Sequence, residues 1–173
     1  MKNLVLIGFM GTGKTTVGAA LAKSLGVVHR DLDEAIVESE GCSIPALFAE
    51  KGETYFRDVE TKRLNELLDE VPQVLTTGGG AVLRQQNVQA MLEKATVIAL
   101  FATEEELIKR LENDTNRPLL VGGVAARVRT LLAERAGAYD FAPVQIDTTG
   151  KSLTAIVAEI KSQLVESRQD GAN

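Results

Sequence analysis

The sequence lacks the features that mark several classes of protein. Its 173 residues include a single cysteine, Cys42, so no disulfide can form within the chain and a cysteine-based zinc site has no partners. The apolar run near the start, residues 4–7, is far too short to span a membrane. The 19 lysines and arginines are scattered and the net charge is −5, which argues against a nucleic-acid surface. We therefore expect a cytosolic protein that binds neither nucleic acid nor a membrane.

The composition is that of an ordinary folded domain. Apolar residues make up 45% and charged residues 25% of the chain, which supplies enough hydrophobic material for a core without disulfides. A length of 173 residues fits one domain, and no internal repeat or low-complexity segment divides it. We therefore predict a single domain over residues 1–173. We also expect a monomer, since no apolar excess marks a contact surface.

Short apolar runs alternate with segments of helical periodicity. The apolar runs predict strands at residues 4–7, 27–29, 74–77, 96–101 and 144–146. Periodicity and capping residues predict six helical segments. The first two cover 14–25 and run from 33 toward Gly41, and the third starts at Ser43 and is broken at Lys51-Gly52. The others start at a capping box formed by Thr103 and Glu106, cover 124–132, and follow Ser152. This alternation predicts a three-layer α/β domain, with a mostly parallel sheet of about five strands and helices on both faces.

Two segments do not follow this alternation. Residues 113–123 are polar, contain Pro118 and end in two glycines, which predicts a hinged loop. The loop is either functional or a plain surface connector. Residues 167–173 predict a disordered tail.

One motif has a direct chemical meaning. Residues 8–16, Gly-Phe-Met-Gly-Thr-Gly-Lys-Thr-Thr, match the phosphate-loop pattern of glycine, four residues, glycine, lysine and then serine or threonine. The motif follows a predicted buried strand and opens a predicted helix, so backbone N–H groups and the positive helix end would converge on a phosphate. Lys14 would reach the outer phosphates, and the Thr15 hydroxyl would reach a Mg²⁺ ion. The alternative is a glycine-rich turn that binds nothing.

Other polar residues favour a particular nucleotide and an acceptor. The chain lacks the Asn-Lys-x-Asp motif that reads guanine, which favours ATP over GTP. Asp31 and Asp33 follow the second predicted strand, where a period of two would point both carboxylates toward the carboxyl edge of the sheet. One carboxylate could hold the metal through water, and the other could orient or deprotonate an alcohol. A solvated pair of helix-capping aspartates is the alternative.

A second glycine run follows the strand predicted at residues 74–77. Gly78, Gly79 and Gly80 would let a ligand lie against bare backbone, unless they only form a tight turn. Most arginines merely solvate a protein surface, so residue type alone does not assign a role to the candidates Arg57, Arg117 and Arg135.

These residues together resemble the shikimate kinase family over nearly the whole chain, to about Ile160. The matching segments beyond the phosphate loop are Asp31-Leu32-Asp33, Gly41 to Ile44 with Phe48, Gly52-Glu53, Phe56-Arg57 with Glu60, Gly78-Gly79-Gly80, Arg117 to Leu120, and Glu134-Arg135 before Tyr139. The resemblance implies a P-loop kinase fold with a substrate-binding segment at 33–61 and a mobile lid at 113–123. The implied reaction moves the γ-phosphoryl group of ATP to the 3-hydroxyl of shikimate, a step toward chorismate and the aromatic amino acids.

The resemblance also implies roles for individual residues. The ATP-binding residues would be Gly11, Thr12, Gly13, Lys14, Thr15, Thr16, Arg110 and Arg117. Mg²⁺ would bind Thr15 directly and Asp31 through water. The residues in contact with shikimate would be Asp33, Arg57, Glu60, Gly78, Gly79, Gly80 and Arg135. Lys14, Asp33 and Arg117 would take part in catalysis.

Two features depart from the family pattern. His29 and Arg30 stand where an aromatic or apolar pair is expected, which predicts an exposed strand edge and a surface histidine. The loop at residues 147–151, expected near adenine, lacks a proline that is often found there. Two other functions stay open. One is a kinase of similar build for another polyol acid, such as gluconate, or for a nucleoside monophosphate; the other is an ATP-binding switch without an acceptor.

Overall fold

The computed structural model describes residues 2–70, 72–114 and 123–170 of the chain. Five strands of these residues form one parallel sheet in the order β2-β3-β1-β4-β5. The strands are β1 (Asn3–Gly8), β2 (Val28–Asp31), β3 (Gln73–Thr76), β4 (Ala95–Phe101) and β5 (Val144–Asp147). The predicted parallel sheet is confirmed, and β2 extends two residues further than the sequence predicts.

Helices pack on both faces of this sheet. In the described residues they are α1 (Lys14–Leu25), α2 (Leu32–Glu40), α3 (Ile44–Asp69), α4 (Gln85–Lys94), α5 (Glu104–Glu112), α6 (Val124–Glu134) and α7 (Leu153–Asp170). One apolar cluster joins α2, α3 and α4 to the face that carries Val5 and Leu75, and another joins α1 and α7 to the face that carries Leu4 and Leu6. Within the described ranges, no helix is both long and apolar enough to cross a bilayer.

The capping and breaking residues around α3 act as the sequence predicts. The Ser43 hydroxyl accepts a hydrogen bond from the Ala46 N–H at 3.3 Å, which caps the start of the helix. Gly52 has φ 82°, a left-handed conformation that interrupts the helical backbone. The segment is therefore two helices joined at Gly52, and the second of them carries Arg57 and Glu60.

The structure corrects the sequence predictions at two helices. Residues 81–94, for which the sequence predicts no element, form a short 3-10 turn (Ala81–Leu83) followed by α4. The start of α4 has no side-chain cap, and its first residues are polar, so the usual start signals are missing. The last helix, α7, extends to Asp170 and so includes part of the segment predicted as a disordered tail.

The capping box predicted at the start of α5 is only half formed. The Thr103 hydroxyl accepts from the Glu106 N–H at 3.3 Å, as predicted. The reciprocal bond is absent from the described contacts, because the Glu106 carboxylate accepts from Arg110 Nε, and the Thr103 N–H donates to the Thr149 hydroxyl at 2.9 Å. A tertiary contact from the loop after β5 thus replaces the local one.

Helix α1 packs tightly against the sheet at Gly18. A Cβ atom built on Gly18 would lie 2.4 Å from Thr76 Cγ2 in β3 and 3.0 Å from His29 Nε2 in β2. Carbon atoms in contact are normally about 3.5–4.0 Å apart, so only glycine lets the helix approach this closely. Because α1 begins at Lys14, this contact also helps to position the phosphate loop over the sheet.

We predict that Gly18→Ala lowers the stability of the protein. Alanine has the higher helix propensity by about 1 kcal/mol, but forcing a methyl group into a packed contact costs about 1–3 kcal/mol. We expect the steric term to prevail and the free energy of unfolding to fall by up to about 2 kcal/mol, measured by urea denaturation. A stability equal to or above that of the parent would show that the neighbouring side chains accept the methyl group.

Candidate active site

The phosphate loop connects β1 to α1 through three glycines with positive φ. Gly8, Gly11 and Gly13 have φ of 148°, 81° and 90°, conformations that other residues rarely adopt. A Cβ on Gly8 would also lie 2.3 Å from the Leu100 carbonyl oxygen of β4. The loop backbone can therefore curl at the end of the sheet only with glycine at these positions.

The side chains of the loop are held by its own carbonyl groups. Lys14 Nζ donates to the carbonyl oxygens of Gly8 at 2.8 Å and Phe9 at 3.0 Å, and the buried Thr12 hydroxyl donates to Phe9 at 2.7 Å. Lys14 is half-buried, and its ammonium group lies over the loop where the phosphates of a nucleotide would bind. The loop therefore combines the positive charge of Lys14, a backbone that its glycines allow to curl, and the N-terminus of α1.

Asp31 is both a helix cap and a neighbour of the phosphate loop. It ends β2, and its Oδ1 accepts from the Glu34 N–H at 3.1 Å at the start of α2. Its Oδ2 lies 3.4 Å from the Thr15 hydroxyl and accepts from the Thr76 hydroxyl at 2.7 Å. The cap is therefore confirmed, and the same carboxylate lies beside the phosphate loop, where its proposed role in the nucleotide site stays a prediction.

The period-two argument for Asp31 and Asp33 is wrong. The strand ends at Asp31, and Asp33 lies in the first turn of α2, where side chains do not alternate as in a strand. Both carboxylates still lie at the carboxyl edge of the sheet, because Asp31 contacts Thr15 and Asp33 approaches Gly78. The helical turn separates them and directs them to different neighbours.

The oxygen atoms beside the phosphate loop fit a magnesium ion. Mg²⁺ prefers oxygen ligands, keeps several of its waters and takes the remaining ligands from one or two protein groups and the nucleotide phosphates. The Thr15 hydroxyl and the Asp31 carboxylate supply such oxygens 3.4 Å apart. No cluster of three or more histidine, cysteine, aspartate or glutamate residues that could hold a metal occurs in the part of the chain that the structure describes. The two oxygens beside the phosphate loop are thus the ones that we consider for a magnesium ion.

The triple glycine after β3 faces three charged side chains. None of Gly78, Gly79 and Gly80 has a positive φ, so the backbone itself does not require glycine there. The missing side chains instead leave room for the charged groups. A Cβ would lie 3.1 Å from Asp33 Oδ1 at Gly78, 2.9 Å from Arg135 Nη1 at Gly79, and 2.4 Å from Arg57 Nη2 at Gly80.

Arg57 is oriented by a buried carboxylate one turn along α3. Arg57 Nη1 donates to Glu60 Oε1 at 2.7 Å, and the side chain of Glu60 is only 1% exposed. Burial raises the pKa of Glu60 above its ordinary value, although the charge of Arg57 acts in the opposite direction. Arg57 also packs against the ring of its neighbour Phe56. The guanidinium group is therefore held in place before any ligand binds.

Tyr139 links Arg135 to the middle glycine, although no sequence pattern predicted a site role for it. Its hydroxyl donates to the Gly79 carbonyl oxygen at 2.7 Å. Burial raises the pKa of Tyr139, and nearby Arg135 opposes this shift. Arg135 itself lies over the ring of Phe9, 5.8 Å from its centre. Tyr139 follows Arg135 by four residues in a segment that matches the family, so a site role for the tyrosine could have been suspected from the sequence. Its hydrogen bond to Gly79 could not.

Arg110 ties the phosphate loop to the loop after β5. Its Nη1 donates to the Gly11 carbonyl oxygen at 3.0 Å and to the Thr148 hydroxyl at 3.1 Å, and its Nη2 donates to the Thr148 carbonyl oxygen at 3.0 Å. The Glu106 carboxylate accepts from its Nε. These contacts place Arg110 beside the phosphate loop, and no sequence signal indicated its contacts with Thr148.

The other predicted residues lie around the edges of the site. Thr16 is exposed in the first turn of α1, next to Thr15. Arg117 and most of the predicted lid at residues 113–123 lie outside the described residues. His29, expected at the surface, is half-buried and forms a hydrogen bond to Thr76 at 3.1 Å. The exposure predicted for this strand edge holds for Arg30, which is exposed, and its neighbour Val28 is 56% exposed.

The fold and the site together define a class of protein. A phosphate loop at the end of a central parallel strand, with acidic and cationic side chains gathered beside it, is the arrangement of a P-loop nucleotide-binding phosphotransferase. The model of the shikimate kinase family matches residues 10–165, and the chain belongs to this family.

Individual relatives cover nearly the full length of the chain. It is 44% identical to a shikimate kinase from Geobacter metallireducens over 95% of this chain and 92% of the relative, and 44% identical to one from Enterococcus faecalis over 96% and 100%. A solved structure of shikimate kinase from Acinetobacter baumannii in complex with shikimate has a TM-score of 0.89 and 36% identity, and the match covers 96% of this chain and 94% of that one. The predicted family, fold class and enzyme class are confirmed.

The alternative acceptor receives much weaker support. A solved gluconokinase from Sinorhizobium meliloti has a TM-score of 0.60 and 18% identity to this chain, so the likeness extends to the fold alone. The prediction of an ATP-binding switch without an acceptor is not supported, because the family to which the chain belongs consists of kinases.

We predict that Glu60→Gln changes the pH dependence of stability. Because burial raises its pKa, the contribution of Glu60 to stability is full below the ordinary value of 4.5 and is lost as the pH rises through the raised pKa. The variant lacks this titration. As the pH rises, the parent loses this stability and the variant does not. The free energy of unfolding of the variant minus that of the parent should therefore increase across this window and then level off, as measured by urea denaturation from about pH 4 to about pH 8. A flat difference would contradict the raised pKa.

Proposed function

We propose that the chain transfers the γ-phosphoryl group of ATP to the 3-hydroxyl of shikimate, giving shikimate 3-phosphate and ADP. One observation carries the acceptor half of the proposal: three consecutive glycines lie against one carboxylate and two guanidinium groups, those of Asp33, Arg135 and Arg57. Shikimate offers one carboxylate and three hydroxyl groups. Two arginine forks match a planar carboxylate better than lysines would, and the aspartate suits a hydroxyl.

ATP would bind along the phosphate loop and the N-terminus of α1. The residues for the phosphates are Gly11, Thr12, Gly13, Lys14, Thr15 and Thr16. Backbone N–H groups and the helix dipole would stabilise the negative charge, and Lys14 would shift from the loop carbonyls toward the outer phosphates. Arg110 would lie beside the base-proximal end of the nucleotide, since it bonds to the loop after β5.

Thr15 and Asp31 are the residues that we assign to magnesium, the former directly and the latter through water. When bound, the ion neutralises the phosphate charge that develops during phosphoryl transfer. Arg117 is assigned to the same charge stabilisation on the basis of the family pattern, and a closing lid at residues 113–123 would exclude water from the reaction.

Asp33 would receive the proton of the acceptor hydroxyl. The carboxylate lies within 3.2 Å of the Cβ position of Gly78, at the same edge of the sheet as the phosphate loop. The hydroxyl oxygen would attack the γ-phosphorus as its proton passes to Asp33, and ADP would leave. Phosphoryl transfer needs positioning and charge neutralisation more than covalent assistance, so Asp33 supplements the cationic groups. A cytosolic location and a monomeric state remain predictions from the sequence.

The acceptor is tested by measuring ADP release with shikimate, quinate and gluconate. We expect a clear preference for shikimate, because the relatives of this chain are shikimate kinases. Gluconate lacks the ring, and quinate, a ring with a carboxylate and hydroxyl groups, is the more demanding comparison. Equal rates with the three acids would overturn the assignment of the substrate and leave only the assignment of the nucleotide.

The role of Asp33 is tested by Asp33→Asn. A positioned base contributes about 10²- to 10⁴-fold to a rate, so we expect kcat to fall by this order while the KM for ATP stays close to that of the parent. Glu34→Gln, which changes the exposed neighbouring carboxylate, is the matched control and should retain the parent kcat. A kcat within about threefold of the parent for Asp33→Asn would contradict a role as base.

The clamp is tested by Gly80→Ala. Gly80 has φ −95°, which alanine adopts freely, but the new methyl group would occupy the position of the Arg57 guanidinium. Since only the end of a flexible side chain must move, we expect the stability to stay near that of the parent. The KM for shikimate should rise about 10- to 100-fold, as for the loss of a charged hydrogen bond, while the KM for ATP should not change.

Arg57→Lys provides an independent check of the same clamp. Lysine keeps the charge but not the fork, so the KM for shikimate should again rise. Arg84→Lys is the matched control, because Arg84 also pairs with a carboxylate, that of Asp58 at 2.7 Å, and its guanidinium is not among the atoms nearest to the Cβ positions of the triple glycine. Equal effects of the two lysine substitutions would argue against a specific carboxylate clamp.

A further inference from the structure

The carboxylate of Asp31 is held by a side chain that the family pattern did not indicate. Its Oδ2, the oxygen that faces Thr15, accepts from the Thr76 hydroxyl at 2.7 Å. Thr76 is fully buried in β3, directly opposite Asp31 in the register of the parallel pair β2–β3. A short bond to a charged acceptor from a buried donor fixes the direction of that carboxylate.

Because the Thr76 hydroxyl has a single proton, the group that donates a hydrogen bond to it can be identified. A threonine hydroxyl has one proton, and the bond to Asp31 Oδ2 uses it, because the other acceptor in reach, the Arg30 carbonyl oxygen, is 3.4 Å away. His29 Nε2 lies 3.1 Å from the same hydroxyl oxygen. Since that oxygen can then only accept, Nε2 of His29 carries a hydrogen and donates it. The bonds run in one direction, from His29 through Thr76 to Asp31.

The fold leaves this chain of bonds little freedom. His29 and Asp31 lie two residues apart on β2 and so share one face, and Thr76 faces the same side from β3. Helix α1 closes over them at Gly18, whose Cβ position is 2.4 Å from Thr76 Cγ2 and 3.0 Å from His29 Nε2. The imidazole is therefore confined between the strand pair and the helix, with its Nε2 directed at the hydroxyl.

We propose that His29 and Thr76 are positioning residues that hold the Asp31 carboxylate in the direction of Thr15, so that the two oxygens are arranged for a nucleotide-bound divalent cation. This inference rests on the proposed function, because it is there that Thr15 and Asp31 are assigned to the metal. It adds two residues that would act through Asp31. Partners that orient a directly bound metal ligand typically change affinity or activity by about 10- to 100-fold. Because Asp31 is assigned to the ion through water, we expect effects at or below the lower end of that range.

The test measures Mn²⁺ binding to the complex of the protein with ADP, by the electron paramagnetic resonance signal of free Mn²⁺. Thr76→Val removes the hydroxyl without changing the shape of the side chain, and we expect its dissociation constant for Mn²⁺ to rise about tenfold. His29→Leu removes only the outer donor, and we expect a smaller rise, about two- to tenfold. The KM for shikimate should stay at the parent value in both variants.

Conservative variants separate positioning from packing. Thr76→Ser keeps the hydroxyl, and His29→Gln can place an amide N–H near the position of Nε2, so both should bind Mn²⁺ nearly as the parent does. Arg30→Gln, an exposed residue between His29 and Asp31 on the opposite face of the strand, is the control and should also match the parent. If Thr76→Val does not fold, the pair His29→Leu and His29→Gln decides the question.

The outcomes distinguish this inference from the function on which it rests. Weakened Mn²⁺ binding in Thr76→Val and His29→Leu, with recovery in the serine and glutamine variants, supports the positioning role. Parent-like Mn²⁺ binding in His29→Leu overturns the role of His29, and a lowered melting temperature without a change in Mn²⁺ binding shows packing alone. Asp31→Asn tests the foundation: if it also binds Mn²⁺ as the parent does, the metal assignment in the proposed function fails as well.

Discussion

The register of β3 between β1 and β2 is the constraint on which the site depends. Thr76 is paired with Leu6 of β1 on one side and with Asp31 of β2 on the other, so the three strands reach the edge of the sheet at nearly the same level. Three segments therefore meet at this edge: the phosphate loop after β1, the acidic turn after β2 and the triple glycine after β3. A shift of one residue in β3 would turn its side chains to the opposite face and separate these groups.

On the side of the site where we propose that the acceptor binds, free volume matters as much as charge. The glycines at 78–80 adopt ordinary backbone conformations, and their value lies in the volume that side chains would otherwise occupy. That volume admits the ends of Asp33, Arg57 and Arg135, which come from α2, α3 and the end of α6. Buried Glu60 keeps one guanidinium group oriented, and Tyr139 holds the glycine backbone itself. Charges of both signs can therefore approach closely without a ligand, which limits the reorganisation required on binding.

Hydrogen bonds connect the phosphate loop to the neighbouring segments of the site. Asp31 caps the helix that carries Asp33 and also contacts Thr15 of the phosphate loop, so one carboxylate connects the two segments. On the far side, Arg110 joins Gly11 to the loop after β5. The Asp31 cap is local, but the other two links join parts of the chain that are distant in sequence, 16 residues for Asp31 to Thr15 and 99 for Arg110 to Gly11. Neither of these two has a local sequence signal.

The sequence by itself determined the features that depend on local chemistry. It predicted the buried strands, the phosphate loop with its obligatory glycines, and the helix start and break at Ser43 and Gly52, because propensity, periodicity and left-handed turns are properties of a few consecutive residues. It missed α4, whose start has no capping side chain. It placed Asp31 and Asp33 correctly at the carboxyl edge of the sheet, but by assuming a strand geometry, whereas Asp33 lies in a helix. Only the tertiary structure decided which distant groups meet: the hydrogen bonds of Thr76, Thr148 and Tyr139, and the packing of His29 under Gly18. The reason is physical, since these contacts arise from strand register and helix packing, which no short stretch of sequence contains.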